Sequence, residues 1–501
     1  MPKKILIPAG LLLTFVLVAT VLGLWGDVSG ESLIGAEDSA DGPESSVAKA
    51  QIKQLIDQAE PGDTVRVPGD RVYRETVVVD KPITLVAEEG AEIRGSDVWK
   101  GWQPDGGVWR SEKTYPELRV EGRWRCEEGT GQRCKQPEQV YLDGEPLEQV
   151  RLGPGEGEFT LDGDRRVLLG ENPAGKTVEV SVRDKWIEGR SENVTIRGFS
   201  MRHSAGTGIK NNLQANWRVI GNDLSYAHTT NVTLSQGPGM VIENNNLHHA
   251  GQMGLSSYKA QIKIRDNRIH HNNTASFKTG WEAGGMKISA ATDVLIEKNE
   301  VFGNKDIGIW TDVATTGPQK IMIRGNRVHG NPRQGIRVEI SKNAEVTGNV
   351  VYDNGMGYPP DDPSGAGITL SGTYDSQVSD NTLAYNNSGI VVVNANREKG
   401  FHTVTNVVLS SNDVIQEKGL AVAWMKAYPS GDIFNIASGN GGQDNRYYYP
   451  DPPSGESRYK WERYYERLSG YEETPAEYNG SQLSDKEKDA VLKENSITRE
   501  R

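Results

Sequence analysis

Residues 296–329 read IEKNEVFGNKDIGIWTDVATTGPQKIMIRGNRVH. The stretch holds one motif twice, an apolar position, then an asparagine, then a second apolar position, as IEKNEV and as IRGNRV. Outward from it the motif returns as VIGNDL, IENNNL and IRDNRI on one side and as VTGNVV, VSDNTL and LSSNDV on the other. The aligned asparagines are Asn222, Asn246, Asn267, Asn299, Asn326, Asn349, Asn381 and Asn412, separated by 21 to 32 residues. Repeats of that length built from very short strands form the coils of a β-helix, with loops of variable size. Asparagine suits the bends, because it tolerates left-handed backbone and its amide can bond the same residue in the next coil.

A second alignment fixes which side chains face out. Downstream of each asparagine a glycine opens a short strand: GLSSY at Gly254, GMKIS at Gly285, GIWTD at Gly308, GIRVE at Gly335, GITLS at Gly367 and GIVVV at Gly389. Side chains alternate along a strand, so the second and fourth positions point into the core and the third and fifth point out. The outward columns run Ser256, Lys287, Trp310, Arg337, Thr369, Val391 and Tyr258, Ser289, Asp312, Glu339, Ser371, Val393. Charge and aromatic surface gather on the middle coils, and small groups flank them.

Neighbouring parallel strands lie about 4.8 Å apart. If GIWTD and GIRVE are adjacent rungs, Asp312 and Glu339 form a carboxylate pair roughly 5 Å apart, the separation used by retaining glycosidases. Like charges so close raise one group's pKa, as a general acid requires. Lys287 and Arg337 would keep the other group ionised, and Trp310 would offer a platform for a sugar ring. Trp281 and Glu282, in TGWEAGGMK, would close one wall, and Tyr258 extends the outward column. The competing explanation is a solvated ladder of ion pairs with no chemistry.

The flanks set the context. Lys3 and Lys4 precede an apolar run from Ile5 to Trp25, the order of an export signal, and residues 1–26 are read as a signal peptide or signal anchor. Residues 27–46 form a polar linker, 47–96 a cap helix and the first coils, 97–190 an inserted β-rich subdomain, 191–435 the β-helix and 436–501 a C-terminal cap. The cap helix SDKEKDAVLKEN opens on Ser484 and Glu487, a capping box. Cys126 and Cys134, the chain's two cysteines, sit across a glycine-containing loop and are expected to form a disulfide in an exported protein. A net charge of -12 and a pI near 5.4 argue against nucleic acid, whose phosphates call for a cationic surface. His248, His249, His270, His271 and His329 recur just after the asparagine column, a structural periodicity rather than a metal site. No cofactor is expected; calcium at Asp361 and Asp362 is a weaker reading than a polar surface loop.

The asparagine coils, together with the N-terminal PGDTVRVPGDRVYRETVVVDKPITLVAEEGAEIRGS, resemble the right-handed parallel β-helix proteins of the pectate-lyase-like superfamily. GIW-x-D followed on the next coil by GIRVEI is similar to the β-helix glycoside hydrolases of family 120, which include β-xylosidases. The resemblance implies an all-β, right-handed parallel β-helix solenoid with Asp312 as nucleophile and Glu339 as acid/base. The expectation is an exported monomer acting on an oligo- or polysaccharide at the cell surface or outside it, with membrane contact only through the N-terminal segment. Two rivals stand beside it: a polysaccharide lyase or epimerase using Lys287 or Arg337, and a glycan-binding β-helix without activity.

Overall fold

Three parallel sheets of 12, 13 and 13 strands wrap the described part of the chain, and each coil contributes one short strand to each sheet in turn. The computed structural model describes residues 51–118, 124–314, 320–359, 362–395, 404–427, 432–450 and 456–498, all within one unit, Ala50–Arg501. The N-terminal apolar run, the linker, Val47 and Asp361 lie outside the described residues. Among the described residues no helix is long and apolar enough to cross a membrane.

One coil shows how sequence becomes architecture. Asp293–Glu297 lies in the first sheet, Glu300–Phe302 in the second and Ile309–Asp312 in the third. Their inward residues Val294, Ile296, Val301 and Ile309 are buried, and the same positions of every coil stack into one apolar column. The glycine that opens the central third-sheet strands is dictated by close approach. A Cβ on Gly308 would stand 2.7 Å from the Gly335 carbonyl oxygen and 3.0 Å from Asn331 Nδ2. No other residue fits at that spacing.

Two asparagine ladders run along the stack, a long one from Asn222 to Asn445 and a shorter one from Asn272 to Asn386. Between the first and second sheets Asn222, Asn245, Asn267, Asn299, Asn326, Asn349, Asn381, Asn412 and Asn445 each donate an amide N–H to the side-chain oxygen of the next. The residue of IENNNL in this column is Asn245; Asn246 instead lies on the second-sheet strand, where it donates to Asp223. Three consecutive asparagines hide the register, and only the buried flanks Ile242 and Leu247 resolve it. The second ladder, Asn272, Asn304, Asn331, Asn354 and Asn386, lies between the second and third sheets. The first ladder ends on a carboxylate, with Asn445 Nδ2 donating to Glu477 Oε2 (2.8 Å) and the Asn445 backbone N–H to Oε1 (3.2 Å).

The segment between Ser96 and Ser181 leaves the solenoid to form two further sheets around its own core. Trp186 and the strand Ile187–Gly189, placed in the insertion by the sequence, belong to the solenoid, where that strand pairs in parallel with Val77–Val79 and Ile209–Lys210. Likewise Gly441–Gln443, Arg446–Tyr448 and Tyr459–Trp461, read as cap, continue the three sheets. Glu179 ties the insertion down through Arg74 (2.7 Å) and Arg94 (2.6 Å). The final helix, Asp485–Glu494, carries the expected capping box of Ser484 and Glu487.

The histidines also stack. His248, His270, Phe302, His329 and Tyr352 form one column of near-parallel rings on the second sheet, and Tyr226, His249 and His271 a second beside it. Burial lowers the pKa of His270 to about 3 and of His249 to about 4, with neighbouring histidines adding to the effect.

These features generate two expectations. Asn299→Ala strips partners from the Asn267 amide and from the Ile264 and Glu297 carbonyls, so denaturant unfolding should show a loss of at least about 2 kcal/mol, against less than about 1 kcal/mol for Asn246→Ala. The unfolded chain binds protons to these histidines near their ordinary pKa while the folded rings stay neutral, so stability is complete above about pH 6.5 and is lost as pH falls. Melting temperature should therefore drop between pH 7 and 5, and drop less in His270→Phe, which preserves the ring column.

Candidate active site

GIWTD and GIRVE are adjacent rungs: Ile309 pairs with Ile336, Trp310 with Arg337, Thr311 with Val338 and Asp312 with Glu339. Lys287 and Ser289 occupy the preceding rung opposite Trp310 and Asp312, and Tyr258 precedes Ser289. The inward alternation holds, because Ile309, Thr311, Ile336 and Val338 are all buried.

The outward columns are less open than alternation alone implies. Trp310 is only 3% exposed, because Lys287 Nζ lies 3.7 Å from its ring centroid and Arg337 Cζ lies 4.9 Å away. Cations cover the indole on adjacent rungs, so Trp310 is a spacer between charges and not a platform for a sugar. Thr369, Ser371, Val391 and Val393, expected on an exposed flank, are buried too. The segment after Asn354 lies over these coils, with the Pro363 carbonyl accepting hydrogen bonds from Thr369 Oγ1 and Gln334 Nε2. Tyr258, 45% exposed, leaves the opposite side of the site open.

Each carboxylate carries its own cation. Lys287 Nζ is 3.2 Å from Asp312 Oδ2 and also donates to the Trp281 carbonyl (2.9 Å). Arg337 Nη2 donates to Glu339 Oε1 at 2.6 Å, and Glu339 is 2% exposed. This is no solvated ladder, for the pairs are desolvated. Burial holds Lys287 below the usual lysine range against the opposing pull of Asp312 and Glu282. Burial and the neighbouring Arg333 bring Arg337 down to about 10, so it stays charged at neutral pH.

Several groups at the site went unrecognised in the sequence. Asp306, fully buried, lies 3.6 Å from Arg333 Nε, and its Oδ2 accepts from the Gly280 N–H at 2.8 Å. Both residues sit two positions before their coil's glycine, at Gly308 and Gly335, so extending the glycine alignment two residues upstream would have shown a charge pair on adjacent rungs. The site also concentrates buried polar atoms without a hydrogen-bond partner: Trp281 Nε1, Asp306 Oδ1, Trp310 Nε1, Asp312 Oδ1, Arg333 Nε and Arg337 Nε. Native interiors leave few such atoms, and each calls for an explanation such as ordered water, an ion or a catalytic role.

The wall that holds Trp281 and Glu282 is stitched by the insertion. Cys126 and Cys134 form a disulfide with Cα atoms 5.4 Å apart. Beside it Glu127 accepts from the Thr279 N–H and hydroxyl (2.8 and 2.9 Å), the Lys278 N–H donates to the Arg125 carbonyl (2.7 Å), and Arg125 stacks over the Trp281 ring at 3.8 Å. Glu282 is half-buried near Lys287, and its carbonyl accepts from Gln252 Nε2. No group of three or more metal-ligating side chains occurs among the described residues. Because the disulfide loop clamps the wall, Cys126→Ser/Cys134→Ser should raise hydrogen–deuterium exchange in 274–283 while leaving the Asn299 and Asn326 coils protected, as read by mass spectrometry.

The sequence matches the family described as right handed beta helix region over residues 207–359 and 313–430. A search among curated proteins finds no match. Among solved structures, one described as the complex structure of XylC with xylose aligns with a TM-score of 0.53 at 15% identity, covering 82% of this chain and 83% of that one. A structure described as a glycoside hydrolase gives 0.43 at 13% identity, covering 78% and 90%, and the Azotobacter vinelandii mannuronan C-5 epimerase AlgE4 A-module gives 0.41 at 11%, covering 86% and 92%. Three continuous parallel sheets, a matching family over the central coils and an alignment spanning most of both chains lead to one conclusion: the chain is a right-handed parallel β-helix protein.

Proposed function

We propose that the protein is an exported retaining glycoside hydrolase that uses Asp312 as nucleophile and Glu339 as acid/base. The observation that carries this reading is the direct pairing of Asp312 with Glu339 on adjacent strands of one face. Strand spacing of about 4.8 Å matches the separation of about 5–5.5 Å that a double-displacement mechanism needs. The disulfide supports export from a reducing compartment. The structure bound to xylose supports carbohydrate chemistry only as a fold analogy.

In this reading Asp312, held by Lys287, attacks the anomeric carbon. Glu339 gives its proton to the departing glycosidic oxygen, then removes one from the water that releases the sugar. The orphaned donors Trp281 Nε1 and Arg337 Nε are available for sugar hydroxyls. A lyase or epimerase would use Lys287 or Arg337 as base or to neutralise a uronic acid. Both cations are already committed to Asp312 and Glu339, which makes that route the weaker one.

The decisive measurement is turnover of a panel of aryl glycosides and acidic polysaccharides by the chain from residue 47 onward. Hydrolysis of an aryl glycoside with retained configuration is expected. Asp312→Asn should abolish it, and Glu339→Gln should lower kcat by about 10²–10⁴-fold on substrates with poor leaving groups. Unsaturated products would identify a lyase, and glycan binding without turnover a binding protein. Full activity in both variants would remove the site altogether.

A further inference from the structure

The proposed chemistry requires Glu339 to hold a proton at the start of the cycle, yet Arg337 donates to it at 2.6 Å and favours the ionised form. Charge around the pair decides the outcome. Three cations, Lys287, Arg333 and Arg337, crowd the site, and the two guanidinium groups repel one another from within a single coil. Against them stand Asp312, Glu339, Asp306 and, beside Lys287, Glu282. Ionising Asp306 adds one negative charge beside Arg333 and Arg337, and Arg337 is the cation that Glu339 holds. With Asp306 neutral that cation acts on Glu339 unopposed from this side.

We infer that Asp306 is a positioning residue for the acid/base: it shares Arg337 with Glu339, is paired with Arg333 beside it, and so sets the pH range over which Glu339 can hold its proton. The inference rests on the glycosidase reading of the Asp312–Glu339 pair.

The geometry supports it in three ways. Asp306 is fully buried, so its charge acts through protein rather than through screening water. Its Oδ1 makes no hydrogen bond and lies 3.6 Å from Arg333 Nε, whose own N–H is likewise unpartnered. Its Oδ2 accepts from Gly280, next to Trp281 on the wall whose carbonyl holds Lys287. The charged groups that bear on Asp306 from neighbouring elements are Arg333, in the turn before the next strand, and Arg337, on that strand; the wall contributes the Gly280 N–H. Burial raises the Asp306 pKa to about 7, which places its ionisation within the working range of an enzyme.

The test is the pH profile of kcat/KM on whichever aryl glycoside the native protein hydrolyses. Asp306→Asn keeps an acceptor for Gly280 but cannot ionise, so it withholds that negative charge at every pH, and the basic limb should move to lower pH by about one unit. Arg333→Met removes a cation while keeping the aliphatic stem, and the limb should move the other way. The double variant should return towards the native profile. Stability supplies an independent readout. A carboxyl whose folded pKa is raised from 3.8 to about 7 loses stability for the native fold as pH climbs across that interval, so the melting temperature of Asp306→Asn should gain on the native protein between pH 4 and 8. An active native enzyme whose basic limb is the same in both single variants overturns the inference alone. A native protein that hydrolyses none of the panel overturns the glycosidase reading and the inference with it.

Discussion

Everything in this molecule depends on coils stacking in strict register, and the side-chain amides of the two asparagine ladders enforce it. Each ladder asparagine satisfies both a buried backbone N–H and a backbone carbonyl of the preceding coil, as Asn299 does with the Asn267 N–H and the Ile264 carbonyl. A slip of one residue would break these bonds and turn every apolar side chain outward. Hydrophobic burial drives the stack together and penalises such a slip, and the amides fix which coil bonds to which. The amides supply the direction.

The candidate site inherits its precision from that register. Asp312 faces Glu339, and Trp310 sits between Lys287 and Arg337, because the Gly285, Gly308 and Gly335 backbones approach too closely to allow displacement. The scaffold thus holds a desolvated set of opposite charges that would otherwise rearrange. An indole covered by cations on adjacent rungs keeps both from collapsing onto one carboxylate. Surface ion pairs contribute little to stability, and breaking a buried one by removing a single partner leaves an uncompensated charge, so each of these pairs has to be held as a unit.

Much of this was legible in the sequence, and the limits are instructive. Periodicity located the coils and the Asp312–Glu339 rung, because strand alternation and stacking are local rules applied repeatedly. Ladder membership failed at IENNNL, where three identical side chains compete and only packing chooses Asn245. The second ladder escaped notice because the loop between Asn354 and Gly367 disrupts its spacing to the glycine column. Burial of Trp310 could not be read from alternation, since it comes from cations on neighbouring coils, just as that of Thr369 comes with the Pro363 segment. Asp306 and Arg333 were within reach, two residues before their glycines, but they stand at turn positions outside the alternating strand columns.

The ladders also have a polarity, and Glu477 shows what it entails. Every asparagine in the first ladder offers N–H groups towards the C-terminal end, so the last one would present unsatisfied donors to whatever came next, including the first coil of another copy. A carboxylate accepts and offers no amide in return; Glu477 accepts hydrogen bonds from both Asn445 donors and a further one from the Tyr447 hydroxyl (2.5 Å). The relay stops there. A fold that could in principle propagate as a fibre is thereby made finite at one end by a single side chain, and lengthening the protein would mean inserting whole coils upstream of that terminator.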